Sequence, residues 1–206
     1  MNNKFDNSTR EAFDEGFFLK KNIIFIWGEI TDDLARRVVL AITYLDITLR
    51  EERQRGEGID DIIILICSPG GSVTAGMAIY DAINNAACDV QTICYGMAAS
   101  MGAFLLSSGT KGKRCAMPNS KMMIHQPLGG AQGQATDIEI VAKEILRTRA
   151  KLNDILAKNT GRTVEEISLA TERDNYLTAE EALEFGLIDK ILYSEPKAFT
   201  KLEGGE

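Results

Sequence analysis

The chain has 206 residues, of which 45% are hydrophobic and 26% charged, and it carries a net charge of −7. At about 150 residues per domain this is one domain of ordinary globular composition, which excludes a disordered chain, a fibre and a coiled coil. The acidic balance argues against a nucleic-acid-binding face.

The first twenty residues mix Lys4, Asp6, Arg10, Glu11, Asp14 and Glu15 with no apolar core, so no secretory leader is expected. No apolar run reaches the ~18 residues of a membrane span. Residues 1–21 read as a polar arm, with Phe13, Phe17 and Phe18 needing cover from elsewhere. Asn22–Trp27 is β-branched and aromatic, hence a strand. After Thr31, the spacing of Leu34, Val38, Ala41, Ile42, Leu45 and Leu49 predicts a helix. Arg50–Gly58 reads as a charged loop. Asp61–Cys67 is a continuous apolar strand of the kind buried on both faces of a parallel sheet. The turn Ser68-Pro69-Gly70-Gly71-Ser72 leads into a helix over Val73–Ala86.

Val90–Tyr95 is the next strand, Ser100–Ser108 the next helix, and short strands follow near Arg114 and at Lys121–Ile124. Gly129, Gly130 and Gly133 mark an extended or irregular stretch before a long helix from Thr136 to about Asn159. Its apolar stripe is Ile138, Val141, Ile145, Leu152 and Leu156, and Gly161 ends it. Thr163 with Glu166 and Thr178 with Glu181 are capping boxes that start two further helices. Lys190–Tyr193 is a last strand, and Lys201–Glu206 a frayed tail. Strands alternating with helices predict an α/β domain with a mainly parallel sheet.

Ser100 lies in Ala98-Ala99-Ser100-Met101-Gly102, between a strand and a helix. Small neighbours there permit the tight turn of a nucleophile elbow, and free N–H groups at the helix start suit an oxyanion. The same serine could simply cap its helix. His125, the only histidine, follows a strand and precedes Gln126-Pro127, at the sheet rim where α/β sites form. A neutral base near pH 7 points to it. Gly70 and Gly71 let backbone N–H groups approach a ligand, or merely make a turn. Asp137, Asp174 and Asp189 are each open as the acid that orients the histidine. No phosphate-binding G-x-x-x-x-G-K-[ST] occurs. Cys67, Cys88, Cys94 and Cys115 lack C-x-x-C spacing and read as reduced thiols of a cytoplasmic protein. One histidine leaves too few ligands for a zinc site, and no metal or other cofactor is expected.

Four stretches in order carry a resemblance: Ser68-Pro69-Gly70-Gly71-Ser72-Val73-Thr74-Ala75-Gly76, Gly96-Met97-Ala98-Ala99-Ser100-Met101-Gly102-Ala103-Phe104-Leu105-Leu106, Met123-Ile124-His125-Gln126-Pro127-Leu128-Gly129-Gly130 and Thr171-Glu172-Arg173-Asp174. Together they resemble the proteolytic subunits of the caseinolytic protease (ClpP) family, over roughly residues 22–193. The resemblance implies a spiral of ββα units of the ClpP/crotonase type. Residues 1–21 would then be an arm at the axial pore, 22–193 a serine peptidase domain with a protruding handle at about 126–160, and 194–206 a tail.

It further implies Ser100 as nucleophile, His125 as general base and Asp174 as its orienting acid. Gly71 and Met101 would supply the oxyanion hole, and Gly70, Gly129 and Gly130 would bind substrate. Glu172 and Arg173 occupy the place of an ion pair between stacked rings. The partners implied are further copies of the chain in two stacked heptameric rings, possibly mixed with a paralogue, an AAA+ unfoldase ATPase of the Clp type, and unfolded proteins. Neither nucleic acid nor membrane is implied.

The sequence departs from the family at the ATPase-docking surface. Ile63 and Leu65 stand where tyrosines are usual, and Asn85 and Cys115 replace apolar rim positions, while Tyr95 and Met117 suit it. A subunit weakly active without a partner subunit or ring is the second reading. A crotonase-type acyl-CoA enzyme is the third, and it leaves the Ser, His and Asp set unexplained.

Overall fold

A computed structural model describes residues 15–56 and 61–193. The expectations for residues 1–14, Phe13 among them, for residues 57–60 and for the tail from 194 onward lie outside the described residues. The described part is an α/β domain built on one seven-stranded sheet. In chain order its elements begin with α1 (Glu15–Leu19), β1 (Ile23–Trp27), α2 (Asp32–Gln54), β2 (Ile62–Ser68), α3 (Val73–Asn85) and β3 (Val90–Ala99). They continue with α4 (Met101–Ser107), β4 (Arg114–Ala116), β5 (Lys121–Ile124), α5 (Ala135–Thr160), α6 (Val164–Ala170), β6 (Asn175–Leu177), α7 (Ala179–Phe185) and β7 (Lys190–Ile191).

The sheet runs β1-β2-β3-β4-β7, all parallel, as the unbroken apolar runs of β1 and β2 require. β3 changes neighbour along its length. Thr92–Cys94 pairs with β4, and Met97–Ala99 pairs with β5. The change is made at Gly96, whose φ of 69° bends the strand. β5 in turn carries β6 in antiparallel register. This second, offset ladder carries the far end of β3 beyond β4.

The main core fills one face of the sheet. Ile24, Ile26, Ile64 and Ile66 meet Leu34, Val38 and Ile42 of α2, Ile79 of α3, and Phe104 and Leu105 of α4. The opposite face holds a smaller cluster: Ile23, Leu65, Ile93 and Cys115, with Phe18, Phe25, Ile63, Tyr95 and Leu192 partly covering it. Phe18, within the expected arm, finds its cover here. Glu15–Leu19 is a helix, and Phe18 meets Phe25 edge-to-face at 5.0 Å. Five residues show too little periodicity to be read, and a contact with β1 holds them.

Other differences are local. α2 extends through Gln54, into the stretch read as a loop, because its charged last turn (Glu51, Glu52, Arg53) consists of good helix formers. β6 was not anticipated, since three residues carry no pattern. Thr163 and Thr178 close their capping boxes as expected, with Gly161 and Gly186 in left-handed conformation ending α5 and α7. The expected stripe of α5 divides in two. Leu152 and Leu156 are buried, but Ile138 and Val141 are 40% and 38% exposed. Residues 135–144 are all exposed, so the first turns of the helix project beyond the rest of the described residues.

One fully buried charge ties the architecture together. Arg114 is 1% exposed and forms a two-pronged pair with Asp189, Nε to Oδ2 at 2.8 Å and Nη2 to Oδ1 at 2.6 Å. Its Nη1 donates to the carbonyl of Asn159 at 2.8 Å, so a cation sits at the C-terminal end of α5. Burial opposes ionisation of Asp189, but the Arg114 side chain and the N–H groups of Arg114 and Gly112 outweigh it. The carboxyl is held well below the usual range. Asp189 is thus committed to structure.

Candidate active site

The site lies where β3 and β5 end. Ser100 joins β3 to α4 at φ 54° and ψ −121°, a conformation that costs a non-glycine residue about 1–3 kcal/mol. Two bonds hold it there. Its N–H donates to the Met123 carbonyl at 2.8 Å, and its own carbonyl accepts from Phe104 N–H at 3.0 Å. The Ser100 hydroxyl makes no capping bond to α4. It lies 2.9 Å from His125 Nε2 instead. That excludes the helix-cap explanation of this serine.

His125 follows β5, and Asp174 precedes β6. The antiparallel register pairs Ile124 with Asn175, so the next residues outward, 125 and 174, come side by side. His125 Nδ1 is 3.0 Å from Asp174 Oδ1. A carboxylate only accepts, so Nδ1 donates to it, and Nε2 is left to accept the Ser100 hydroxyl proton. Of the three open aspartates, the fold brings Asp174 to the histidine. Asp137 lies in the exposed first turn of α5, and Asp189 holds Arg114.

The glycine turn closes the other side. An atom in the Cβ position of Gly70 would lie 2.8 Å from Ser100 Cβ, 2.9 Å from the Ala99 carbonyl oxygen and 3.2 Å from Met101 N. Gly70 therefore contributes space, because both its backbone groups are engaged. Its N–H donates to Ser68 Oγ at 3.1 Å and its carbonyl accepts from Ile30 N–H at 2.8 Å. Gly71, at φ 151°, bridges to Ile30, and a Cβ there would fall 2.4 Å from the Ile30 carbonyl oxygen. Its N–H has no backbone acceptor among the described residues. Met101, as the first residue of α4, likewise has an N–H with no acceptor in its own helix. Met101 directly follows Ser100, and Gly71 follows Gly70, whose Cβ position lies 2.8 Å from Ser100 Cβ.

Beside Ser100 and His125 opens a pocket of about 30 Å³ lined mostly by apolar groups: Val73, Phe104, Ile124, Pro127, Leu152 and Leu156, with Met101 and Asn153. Sequence reasoning did not single out this lining, which comes from five elements or loops. Gly129 and Gly130 follow His125 in an exposed segment outside any helix or strand. A Cβ at Gly129 would meet Ile145 Cδ1 at 2.7 Å, while Gly130 faces open space. Glu172 pairs within its own chain with Arg149 at 2.7 Å, and Arg173 is exposed. Burial pushes the Cys94 thiol up to about 12 and also raises Cys88 and Cys115, so none of these three is a poised nucleophile. Among the described residues no cluster of three or more potential metal ligands occurs, and no helix is long and apolar enough to cross a membrane.

A hydroxyl, an imidazole and a carboxylate in one hydrogen-bonded line, with backbone N–H groups alongside, can carry out acyl transfer. The fold and site thus define an α/β protein of hydrolase type. The family model described as Clp protease matches residues 7–195, and the chain belongs to that family of ClpP-type peptidases.

Proposed function

We propose that the protein is a serine endopeptidase that cuts unfolded polypeptides into short peptides. Its chamber would be formed by two stacked heptameric rings and fed by an AAA+ ATPase of the Clp type. The observation that carries this reading is the continuous line from Ser100 through His125 to Asp174, at 2.9 and 3.0 Å. His125 Nε2 takes the hydroxyl proton as Ser100 Oγ attacks the peptide carbonyl. The N–H groups of Gly71 and Met101 hold the oxyanion. The imidazolium, steadied by Asp174, gives its proton to the leaving amine. Water then releases the acyl group by the same proton route.

Substrate would lie extended along Gly129 and Gly130. The projecting half of α5, with Ile138, Ile140, Val141 and Leu146 exposed, supports assembly through that helix, because a monomer would leave this apolar surface in water. Glu172 and Arg173 lie at its base and suit a contact between rings. Four unpaired cysteines suit a reducing compartment such as the cytoplasm.

Hydrolysis of a short fluorogenic peptide, without ATP, tests this reading. The wild type is expected to be active and Ser100→Ala to fall to background. Equal activity in both would refute it. A second reading rests on the sheet face opposite the main core. There Ile63 and Leu65 stand where the resemblance leads one to expect tyrosines, and Cys115, in place of an apolar rim residue, is buried beside them. Under that reading the subunit is weakly active until a partner subunit or ring joins it, and the assembled wild type alone would be silent.

A further inference from the structure

One half of the sheet's second face is left open. Along β1, β2 and β3 the side chains alternate between the two faces. Ile26, Ile66 and Ala98 point into the main core, so their neighbours Trp27, Cys67 and Met97 point the other way. Near the start of the strands that second face holds the cluster around Leu65, which Phe18 and Leu192 help to cover. At the strand ends it stands open among the described residues. Trp27 is 58% and Met97 39% exposed, and Cys67 is half-buried.

The register makes these residues one row. Trp27 pairs with Cys67, and Cys67 lies between the pairs Ile66–Cys94 and Ser68–Ala98. A Cβ on Gly96 would stand 3.6 Å from Cys67 Sγ, so the thiol lies against β3 beside Met97. Met97 in turn pairs with exposed Lys121 of β5. Each strand leads from the row into the site within three residues. Trp27 leads to Ile30, which bridges to Gly71, Cys67 leads to Gly70, which abuts Ser100, and Met97 leads to Ser100 itself. Three residues of extended chain span about 10 Å. Lys121 and Gly129 lie on opposite sides of His125 in the chain, so the row and the glycine segment approach the site from different directions.

We infer that this row is a second substrate-binding surface, on which Trp27 is the specificity-determining residue. It takes a bulky apolar side chain of the polypeptide about three residues from the scissile bond, on the side away from Gly129 and Gly130. This rests on the peptidase reading of the site and deepens it. The occupant is an unfolded polypeptide because the row is continuous with the chain segments that frame Ser100 and offers no charge before Lys121. An indole, a flexible thioether and a thiol make an apolar contact that adapts to many side-chain shapes, which suits an enzyme acting on varied sequences. Burying one side of a large apolar side chain on such a face is worth about 3–10-fold in affinity.

Trp27 is the only tryptophan, so its fluorescence reports on the row directly. In the full-chain Ser100→Ala protein, a short peptide rich in Phe and Leu should shift the emission to the blue, and a peptide rich in Ser and Gly should not. An unchanged spectrum would overturn the inference. So would emission already at the wavelength of a buried indole before peptide is added, because a neighbouring copy would then occupy the face. With active protein, mass spectrometry of the products from a mixture of short peptides should show cuts enriched about three residues from Phe, Leu or Trp, on one side of the cut only. Trp27→Thr keeps a good strand former at an exposed position. It should lose that enrichment and raise KM for apolar peptides about 3–10-fold, with kcat and sedimentation as in the wild type. Met97→Gln should shift KM in the same direction by less. Enrichment and KM unchanged in Trp27→Thr would refute the assignment. If wild type and Ser100→Ala proved equally silent, the peptidase reading would fall, and the fluorescence titration would still decide whether the row binds apolar polypeptide.

Discussion

Gly70→Ala adds a single methyl group at the closest approach between the glycine turn and Ser100. Two costs can be read from the structure. Gly70 sits at φ 99°, where an L side chain is strained by about 1–3 kcal/mol. The new carbon would also stand 2.9 Å from a carbonyl oxygen and 3.2 Å from a backbone nitrogen, neither of which can swing aside as a flexible side chain would. Overpacking of this kind costs about 1–3 kcal/mol more.

The sum is about 2–6 kcal/mol, or a fall in Tm of roughly 5–20 °C for a chain of this size. Relief must come from moving Ser100, Met101 or the turn itself. A displacement approaching 1 Å at reacting atoms costs about hundredfold in rate. Gly130→Ala is the control for stability, because its methyl meets nothing within 4 Å and its φ is not in the left-handed range. Thermal unfolding at one protein concentration, paired with peptide hydrolysis, measures both effects. A Gly70→Ala protein with wild-type Tm and wild-type kcat would refute the packing argument.

Asp174→Asn keeps the shape of the orienting side chain but lets it present an amide to Nδ1. The loss in kcat is expected to approach about 10⁴-fold, with expression and Tm little changed, since the residue is exposed. Asp189→Asn leaves the buried Arg114 cation without its counter-charge and should cost about 3–5 kcal/mol, measured by denaturant titration. The pH dependence has a definite sign. The Asp189 carboxyl is held below its ordinary value in the folded chain, so its contribution is complete above about pH 4 and fades as pH falls towards the folded value. The variant should lack that part of the acid limb. Thiol labelling of the folded protein at neutral pH should begin at half-buried Cys67, with Cys94 modified only on unfolding. Mass spectrometry of the labelled peptides gives the order, and early labelling of Cys94 would contradict its burial.

Much of this molecule was legible because it rests on short-range physics. The apolar runs of β1 and β2, the spacing along α2 and the two threonine capping boxes act over a few residues, and each formed as expected. The small residues around Ser100 likewise announced a tight strand-to-helix turn. The resemblance supplied Asp174, but residue types and spacing alone could not choose it over Asp137 and Asp189. That choice required the β5–β6 register, which joins His125 to a residue 49 positions away. Arg149 had no sequence signal at all. A charged residue in a long helix looks the same whether it points to water or pairs with a carboxylate 23 positions on.

The sequence by itself determined the alternation of strands and helices, the glycine turn, and the serine and histidine as the groups able to do chemistry. Tertiary structure decided which carboxylate completes the line, which side chains line the pocket and which half of α5 is left uncovered. It also turned Arg114, an unremarked residue of a short strand, into a buried anchor. The division follows range. Caps, turns and periodicity are settled by neighbours within about four residues. A site is settled by which distant segments a sheet register and a packed core bring within 3 Å of one another.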